Sequence, residues 1–103
     1  WVSCSAFGGA HVFRSTNGGR TWTDRSGNLP DIPVNAIVVD PSAGQHVFAG
    51  TDHGVYRTTN AGTRWVDFSN GLPNAVVGDL IFHERRRILR AGTRNRGAWE
   101  VDI

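Results

Sequence analysis

The chain has 103 residues, a formal net charge of +2 and one cysteine, and 39% of its residues are hydrophobic. One cysteine excludes an intramolecular disulfide framework and a multi-cysteine zinc site, and the absence of lysine excludes Schiff-base chemistry. The small charge gives no reason to expect a nucleic-acid partner, and no apolar run is long enough to predict a membrane span.

Short β-strands separated by turns are the predicted elements along the whole chain. Three groups of strands are predicted, in residues 1–25, 34–68 and 77–103. Within the middle group, the almost unbroken apolar run 34–40 is typical of an innermost strand that is buried on both faces. Few segments carry a helical periodicity, and no helix is expected.

The chain also repeats itself with a period of about 43 residues. Residues 12–22 recur as 55–65, and the apolar run 34–39 recurs as 77–82. A four-stranded propeller blade requires a period of this length. The sequence therefore predicts an all-β fold of four-stranded antiparallel β-propeller blades, about two and a half in number. The first and third groups of strands are predicted partial blades, and the middle group is a predicted full blade, of a single unit, residues 1–103.

Two turn segments, one in each copy of the repeat, share a pattern of residue types. They are Ser15-x-Asn17-x-Gly19-x-Thr21-Trp22 and Thr58-x-Asn60-x-Gly62-x-Arg64-Trp65. The pattern resembles the Asp box, or bacterial neuraminidase repeat, Ser-x-Asp-x-Gly-x-Thr-Trp. Asparagine stands in place of aspartate in both copies, and Arg64 stands in place of threonine in the second. The closing segment 93–99 resembles the Thr-His-Gly-Arg-Gly-x-Trp ending of bacterial Asp-box proteins.

The resemblance covers essentially the whole chain and implies an Asp-box β-propeller. This fold is shared by sialidases, sortilin-type receptors, xyloglucan-degrading glycosidases and photosystem assembly factors. In the family the box lies between the third and fourth strands of a blade, away from the catalytic pocket. The chemistry of the box also favours a structural role. Asparagine side chains accept hydrogen bonds from the amides that follow them, glycines adopt the turn angles, and tryptophan rings cover the turn.

Propellers usually bind ligands on the face formed by the loops between blades and by the loops between the second and third strands. In this chain that face carries polar loop residues, which are the ligand-binding candidates: Asp31, Asp52, His53, Asn74, Arg94, Asn95 and Arg96. Guanidinium groups at Arg94 and Arg96 would suit a carboxylate or sugar hydroxyls. The alternative is that they are solvated loop charges that pair with Asp52 or with a neighbouring blade.

The densest charge run, Glu-Arg-Arg-Arg at 84–87, replaces the turn 41–44 when the repeats are aligned, which places it on the opposite face. A solvated turn is favoured there over a site for an anionic partner. The four histidines lack the close spacing of a zinc site. No metal site and no cofactor are therefore predicted.

Catalysis by the isolated chain is not expected, although the question of an enzymatic parent stays open. A glycosidase needs two carboxylates that flank the scissile bond. Asp31, Asp52 and Asp79 are conceivable members of such a pair. Asp79 is the strongest candidate because it interrupts an apolar strand, but no second carboxylate is fixed opposite it. A sialidase would use a tyrosine nucleophile, and the only tyrosine, Tyr56, is predicted to pack inside a strand.

The sequence thus favours a non-catalytic interaction module that binds a carbohydrate or a protein. The alternative is a C-terminal fragment of a secreted glycoside hydrolase, sialidase or xyloglucanase-like, whose active site lies mostly in absent blades. A purely structural scaffold is a third reading. Expected partners are other copies of the chain in a homo-oligomer, or the missing blades of a longer chain, with neither nucleic acid nor membrane. By family resemblance, the expected compartment is extracellular or periplasmic.

Overall fold

The computed structural model describes residues 1–3, 11–69, 75–94 and 97–103. These residues form ten β-strands and contain no helix. The strands are β1 Val2–Ser3, β2 Val12–Arg14, β3 Thr23–Asp24, β4 Val34–Val39, β5 Val47–Thr51, β6 Gly54–Thr58, β7 Val66–Asp67, β8 Val77–His83, β9 Ile88–Thr93 and β10 Ala98–Asp102.

The strands form three antiparallel sheets in which each strand pairs with its neighbour in the chain. The first sheet is β1-β2-β3, the second is β4-β5-β6-β7 and the third is β8-β9-β10. The prediction of an all-β fold with about two and a half blades is confirmed. The grouping of the three sheets into one partial propeller unit stays a prediction.

β4 and β8, the inner strands of the second and third sheets, share the same irregularity in their pairing. The register of β4 with β5 shifts between Val34 and Ala36, and the register of β8 with β9 shifts between Val77 and Asp79. A bulge leaves the extra residue unpaired and re-aims its side chain. Asn35 and Gly78 are therefore released from the ladder at equivalent places.

Two apolar clusters hold the sheets together, one on each side of the second sheet. Val47 and Ala49 belong to the cluster shared with Val12 of the first sheet. Phe48, between them, belongs to the cluster shared with Val77 of the third sheet. Because successive strand residues point to opposite faces, β5 contributes to both interfaces.

The expectation that the run 34–40 is the strand buried on both faces is wrong. Only Val34 and Asp40 are buried in that run, whereas all five residues of β5 are buried. The reason is position, because β4 is the edge strand of its sheet while β5 lies inside it. The neighbouring sheet also approaches β5 closely, since a Cβ atom on Gly50 would lie 2.6 Å from Val77 Cγ1.

Candidate functional site

The loops that precede the inner strands and the turns that follow β5 and β9 meet at one edge of the molecule. Backbone hydrogen bonds join them. The Asp52 amide donates to Pro33 O at 3.3 Å, and the Gly54 amide donates to Ala75 O at 3.0 Å. The Arg94 amide donates to Val76 O at 3.1 Å. We call this region, defined by residues 31–35, 52–54, 75–79 and 94, the polar edge.

Asn35 connects the second and third sheets at the polar edge. Its Nδ2 donates to Asp52 Oδ1 at 2.9 Å and to Val77 O at 3.0 Å. The bulge in β4 turns this side chain out of the sheet toward the next one. Asn35 was not among the residues expected from the sequence, although a polar residue inside an apolar run was a usable signal.

Asp31 is engaged by a buried histidine. His11 Nε2 lies 2.8 Å from Asp31 Oδ1, and His11 is only 3% exposed, while the Asp31 side chain is 61% exposed. The His11 amide donates to Ser26 Oγ at 2.8 Å. Asp31 thus anchors the start of β2 to the loop that leads into β4, and its position in the candidate binding set stays a prediction.

His53 and Arg94 are exposed basic residues of the polar edge. The turn beneath His53 is fixed by Thr51, whose Oγ1 accepts from the His53 amide at 3.0 Å and donates to Gly54 O at 2.9 Å. The Arg94 Nε lies 3.9 Å from the point where a Cβ of Gly78 would stand. The bulge glycine therefore leaves room for the guanidinium to lie along β8.

The pairing of Arg94 with Asp52, which was the alternative reading, is not observed. Asp52 accepts from Asn35, and the close contacts between basic and acidic side chains among the described residues include His11–Asp31, Arg87–Asp40 and Arg90–Glu100. The remaining binding candidates, Asn74, Asn95 and Arg96, lie outside the described residues.

Asp79, the catalytic candidate, is exposed on β8 just after the bulge. Its Oδ1 accepts from the Leu80 amide at 3.0 Å. Tyr56 is half-buried in β6 against the cluster around Val12 and Trp65. Burial, with a contribution from the Asp67 charge, raises the pKa of the Tyr56 hydroxyl, which makes it a poorer nucleophile at neutral pH.

Box 1, residues 15–22, forms a compact polar turn between β2 and β3. Asn17 Oδ1 accepts from the amides of Arg20 and Thr21 at 3.1 and 3.0 Å. Ser15 Oγ accepts from the Gly19 amide at 2.8 Å, and Asn17 Nδ2 donates to Thr21 Oγ1 at 2.7 Å. The whole turn lies at the surface, where Trp22 is 47% exposed.

Box 2, residues 58–65, repeats this turn between β6 and β7. Asn60 Oδ1 accepts from the Arg64 amide and Thr58 Oγ1 accepts from the Gly62 amide, both at 3.0 Å. Part of box 2 is covered, however: Thr58, Ala61 and Gly62 are buried, and Trp65 is only 2% exposed. The difference between the boxes therefore lies in what packs on them.

The segment that packs on box 2 is residues 25–30, which we call the strap. Asn28 Nδ2 donates to Trp65 O at 2.9 Å, and Asn28 Oδ1 accepts from the Trp65 amide. The indole Nε1 of Trp65 donates to Arg25 O at 2.9 Å. One carboxamide thus satisfies both backbone groups of Trp65, in the way that a neighbouring strand would.

On the opposite face, Asp40 and Arg87 join the turns of the second and third sheets. Arg87 Nη1 and Nη2 donate to the two carboxylate oxygens of Asp40 at 2.9 and 2.7 Å. Asp40 is fully buried. The run 84–87 is therefore not wholly a solvated turn, because its last arginine holds the adjacent sheet.

The described parts of the chain contain no group of three or more histidine, cysteine and acidic side chains placed to hold a metal ion. They also contain no helix that is long and apolar enough to cross a membrane.

Comparison with known proteins gives matches to solved structures alone, since no family model and no curated protein matches. An ancestral GH74 enzyme is 25% identical over 79% of this chain, with a TM-score of 0.68. The GH74 enzyme of Niastella koreensis is 19% identical over 97% of this chain, with a TM-score of 0.73. The three sheets are propeller blades. The chain spans 10% and 18% of the lengths of these two enzymes.

Proposed function

We propose that the chain is an Asp-box propeller segment that acts as a non-catalytic binding module, with carbohydrate as the ligand of its polar edge. The observation that carries the proposal is the convergence of Asp52, His53 and Arg94 from two adjacent sheets on one exposed edge. Aspartate accepts hydrogen bonds from hydroxyls, and arginine donates several in a fixed plane. A sugar presents both kinds of partner.

The two boxes support the Asp-box part of the proposal. Each box uses one asparagine oxygen and one hydroxyl oxygen to collect amides of a single turn. Each also lies between the third and fourth strands of its blade, counting the strand missing from the first sheet. These side chains are consumed by the turn, so the ligand is expected at the polar edge and not at the boxes.

Substitution of Arg94 is the most direct test of the binding proposal. We expect Arg94→Gln to weaken carbohydrate binding by about tenfold or more, because it removes charge-assisted hydrogen bonds to the ligand. Binding is measured on an array of polysaccharide fragments that includes xyloglucan oligosaccharides, followed by calorimetry on the strongest hit.

Arg90→Gln is the matched control for this test, because Arg90 is an exposed arginine on β9, the strand that ends just before Arg94. It pairs with Glu100 on the outer face of the third sheet. An exposed pair of this kind contributes little to stability. Equal weakening by the two substitutions would contradict a site at the polar edge, and so would an array without hits.

The second candidate function is a part of a glycosidase. It is favoured by the 25% identity to an ancestral GH74 enzyme and by the exposed carboxylate of Asp79 on an inner strand. For a longer polypeptide that contains these blades, we expect Asp79→Asn to abolish release of reducing sugar from xyloglucan oligosaccharides if Asp79 is catalytic. Hydrolysis that survives Asp79→Asn, with the Asp102→Asn variant as control, would remove Asp79 from the reaction.

A further inference from the structure

In each of the first two sheets, the face that points away from the next sheet in the chain is built from equivalent residues. Val2 pairs with Phe13 in the first sheet, as Ala49 pairs with Tyr56 in the second. The tryptophan that ends each box completes the face. Val2, Phe13 and Trp22, which we call the Trp22 face, therefore correspond to Ala49, Tyr56 and Trp65.

In the second sheet this face is an interface. The first sheet and its strap cover it, so that Ala49 and Trp65 are buried in a cluster with Val12. The strap adds hydrogen bonds to the backbone of Trp65 and to its indole nitrogen. Within this chain, such a face is therefore covered by a preceding sheet together with the strap that follows that sheet.

The contact between strap and box is close enough to require glycine on both sides. A Cβ atom on Gly27 would lie 2.5 Å from Gly62 O, and a Cβ atom on Gly62 would lie 2.5 Å from Arg25 O. Gly62 also has a φ of 86°. In box 1 the position equivalent to Gly62 is Gly19, with a φ of 90° and open space toward the surface apart from its own Trp22 ring.

The Trp22 face is exposed in the described structure. Val2 is 45% exposed and Trp22 is 47% exposed. With Phe13 they line a shallow depression of about 440 Å³. Exposed apolar surface that includes an aromatic ring favours burial against a partner, and the equivalent surface of the second sheet is buried in that way.

A second copy of the chain does not offer a matching surface in head-to-tail packing. The outer face of the third sheet would have to meet the Trp22 face, and it carries Arg90 and Glu100. The equivalent of Arg90 in the second sheet, by strand register, is the buried Phe48. Burying the Arg90–Glu100 pair against apolar side chains would cost its hydration without new partners.

We propose that the Trp22 face docks a preceding propeller blade that has a complete outer strand followed by a strap of the Gly-Asn-Leu type. The strap asparagine pairs with the backbone of Trp22, a strap carbonyl accepts from the Trp22 indole, and a strap glycine lies against Gly19. Apolar residues in the places of Val12 and Leu29 fill the depression. This inference does not depend on the ligand of the polar edge.

The test supplies such a blade by extending the full chain. A second copy of residues 1–47 is added before Trp1. Trp1 then follows the added Val47 directly and takes the place in the strand that Phe48 has in the chain. The added residues 34–39 provide an inner strand, and the added strap reaches box 1. Hydrogen exchange of the indole N–H groups is then followed by NMR, with the Trp22→Phe variant assigning the signal.

In the unextended chain, we expect the Trp22 indole to exchange fast and the Trp65 indole slowly. In the extended chain, we expect exchange at the original Trp22 to slow by about tenfold or more. Gly27→Ala in the added strap is expected to restore fast exchange. Gly44→Ala in the added segment is the matched control, because a Cβ there meets nothing within 4 Å.

Fast exchange at Trp22 beside slow exchange at Trp65 in the extended protein would overturn the proposal. Loss of protection at Trp65 on extension would also overturn it, because docking on the Trp22 face must stabilise the blades behind it. An unextended chain that is dimeric by light scattering, with a Trp22 indole protected until dilution, would identify a second copy as the occupant instead.

Discussion

At the scale of single residues, Asp40 shows how one buried side chain joins two sheets. The hydrogen bonds from the Arg87 guanidinium, helped by the amide and hydroxyl of Ser42, hold the pKa of Asp40 well below its usual range and outweigh the effect of burial. The two-point geometry of the Arg87 contact makes it strong and directional. The carboxylate is thus stabilised in its charged form only when the sheets are in place.

This arrangement predicts a specific dependence of stability on pH. Since the pKa of Asp40 is lower in the folded than in the unfolded chain, its contribution to the free energy of unfolding is fully present above about pH 5. It declines as the pH falls below about pH 4, the usual range of an aspartate. Urea unfolding curves measured between pH 7 and pH 3 test this for the chain and for Asp40→Asn.

The comparison with the variant isolates Asp40 from the other carboxylates. We expect Asp40→Asn to be less stable at pH 7 and to lose less stability than the unchanged chain between pH 5 and pH 3. Parallel curves for the two proteins would show that the pair with Arg87 does not couple to folding.

At the scale of elements, the two boxes show that one turn can have two different energetic roles. Box 1 and box 2 share the hydrogen bonds that the first hydroxyl and the asparagine oxygen accept from turn amides, but only box 2 lies under a strap. A fully buried tryptophan contributes by apolar burial and by its indole hydrogen bond. Trp65 therefore ties two blades together, whereas Trp22 caps a surface turn in the described structure.

Substitution of the two tryptophans separates these roles. We expect Trp65→Ala to lower the free energy of unfolding by about 3–5 kcal/mol, because it leaves a cavity between the first two sheets. We expect Trp22→Ala to lower it by less than about 1 kcal/mol, as for an exposed position. Urea unfolding followed by circular dichroism measures both, and equal losses would contradict the structural difference between the boxes.

The strand order and the turn chemistry were predictable because they depend on local residue patterns. The period of the repeat and the strand-forming segments predicted three sheets and no helix, as found in the described residues. The assignment of the fully buried strand failed for a physical reason. The composition of 34–40 shows that a strand is apolar, but burial on both sides depends on which strands become its neighbours, and β5 has two while β4 has one within its sheet.

At the scale of the whole molecule, the contacts that hold the sheets together were missed from the sequence. Asn28 and Trp65 are 37 residues apart, and Asp40 and Arg87 are 47 apart. No local pattern pairs such residues, because their meeting depends on how successive blades stack. The sequence predicted Asp52, His53 and Arg94 as loop residues on one face. It did not predict the Asn35 bridge beside them, because that bridge also depends on how two blades stack.

The two outer faces of the described blades are unlike each other, and this has a consequence for growth. Contacts that repeat head to tail without closing generate open filaments. Such growth needs one end of a molecule to fit the other, and here the apolar Trp22 face would meet the charged Arg90–Glu100 pair. Head-to-tail stacking of identical copies would bury that ion pair without new partners, which disfavours growth by the packing that joins the blades of this chain.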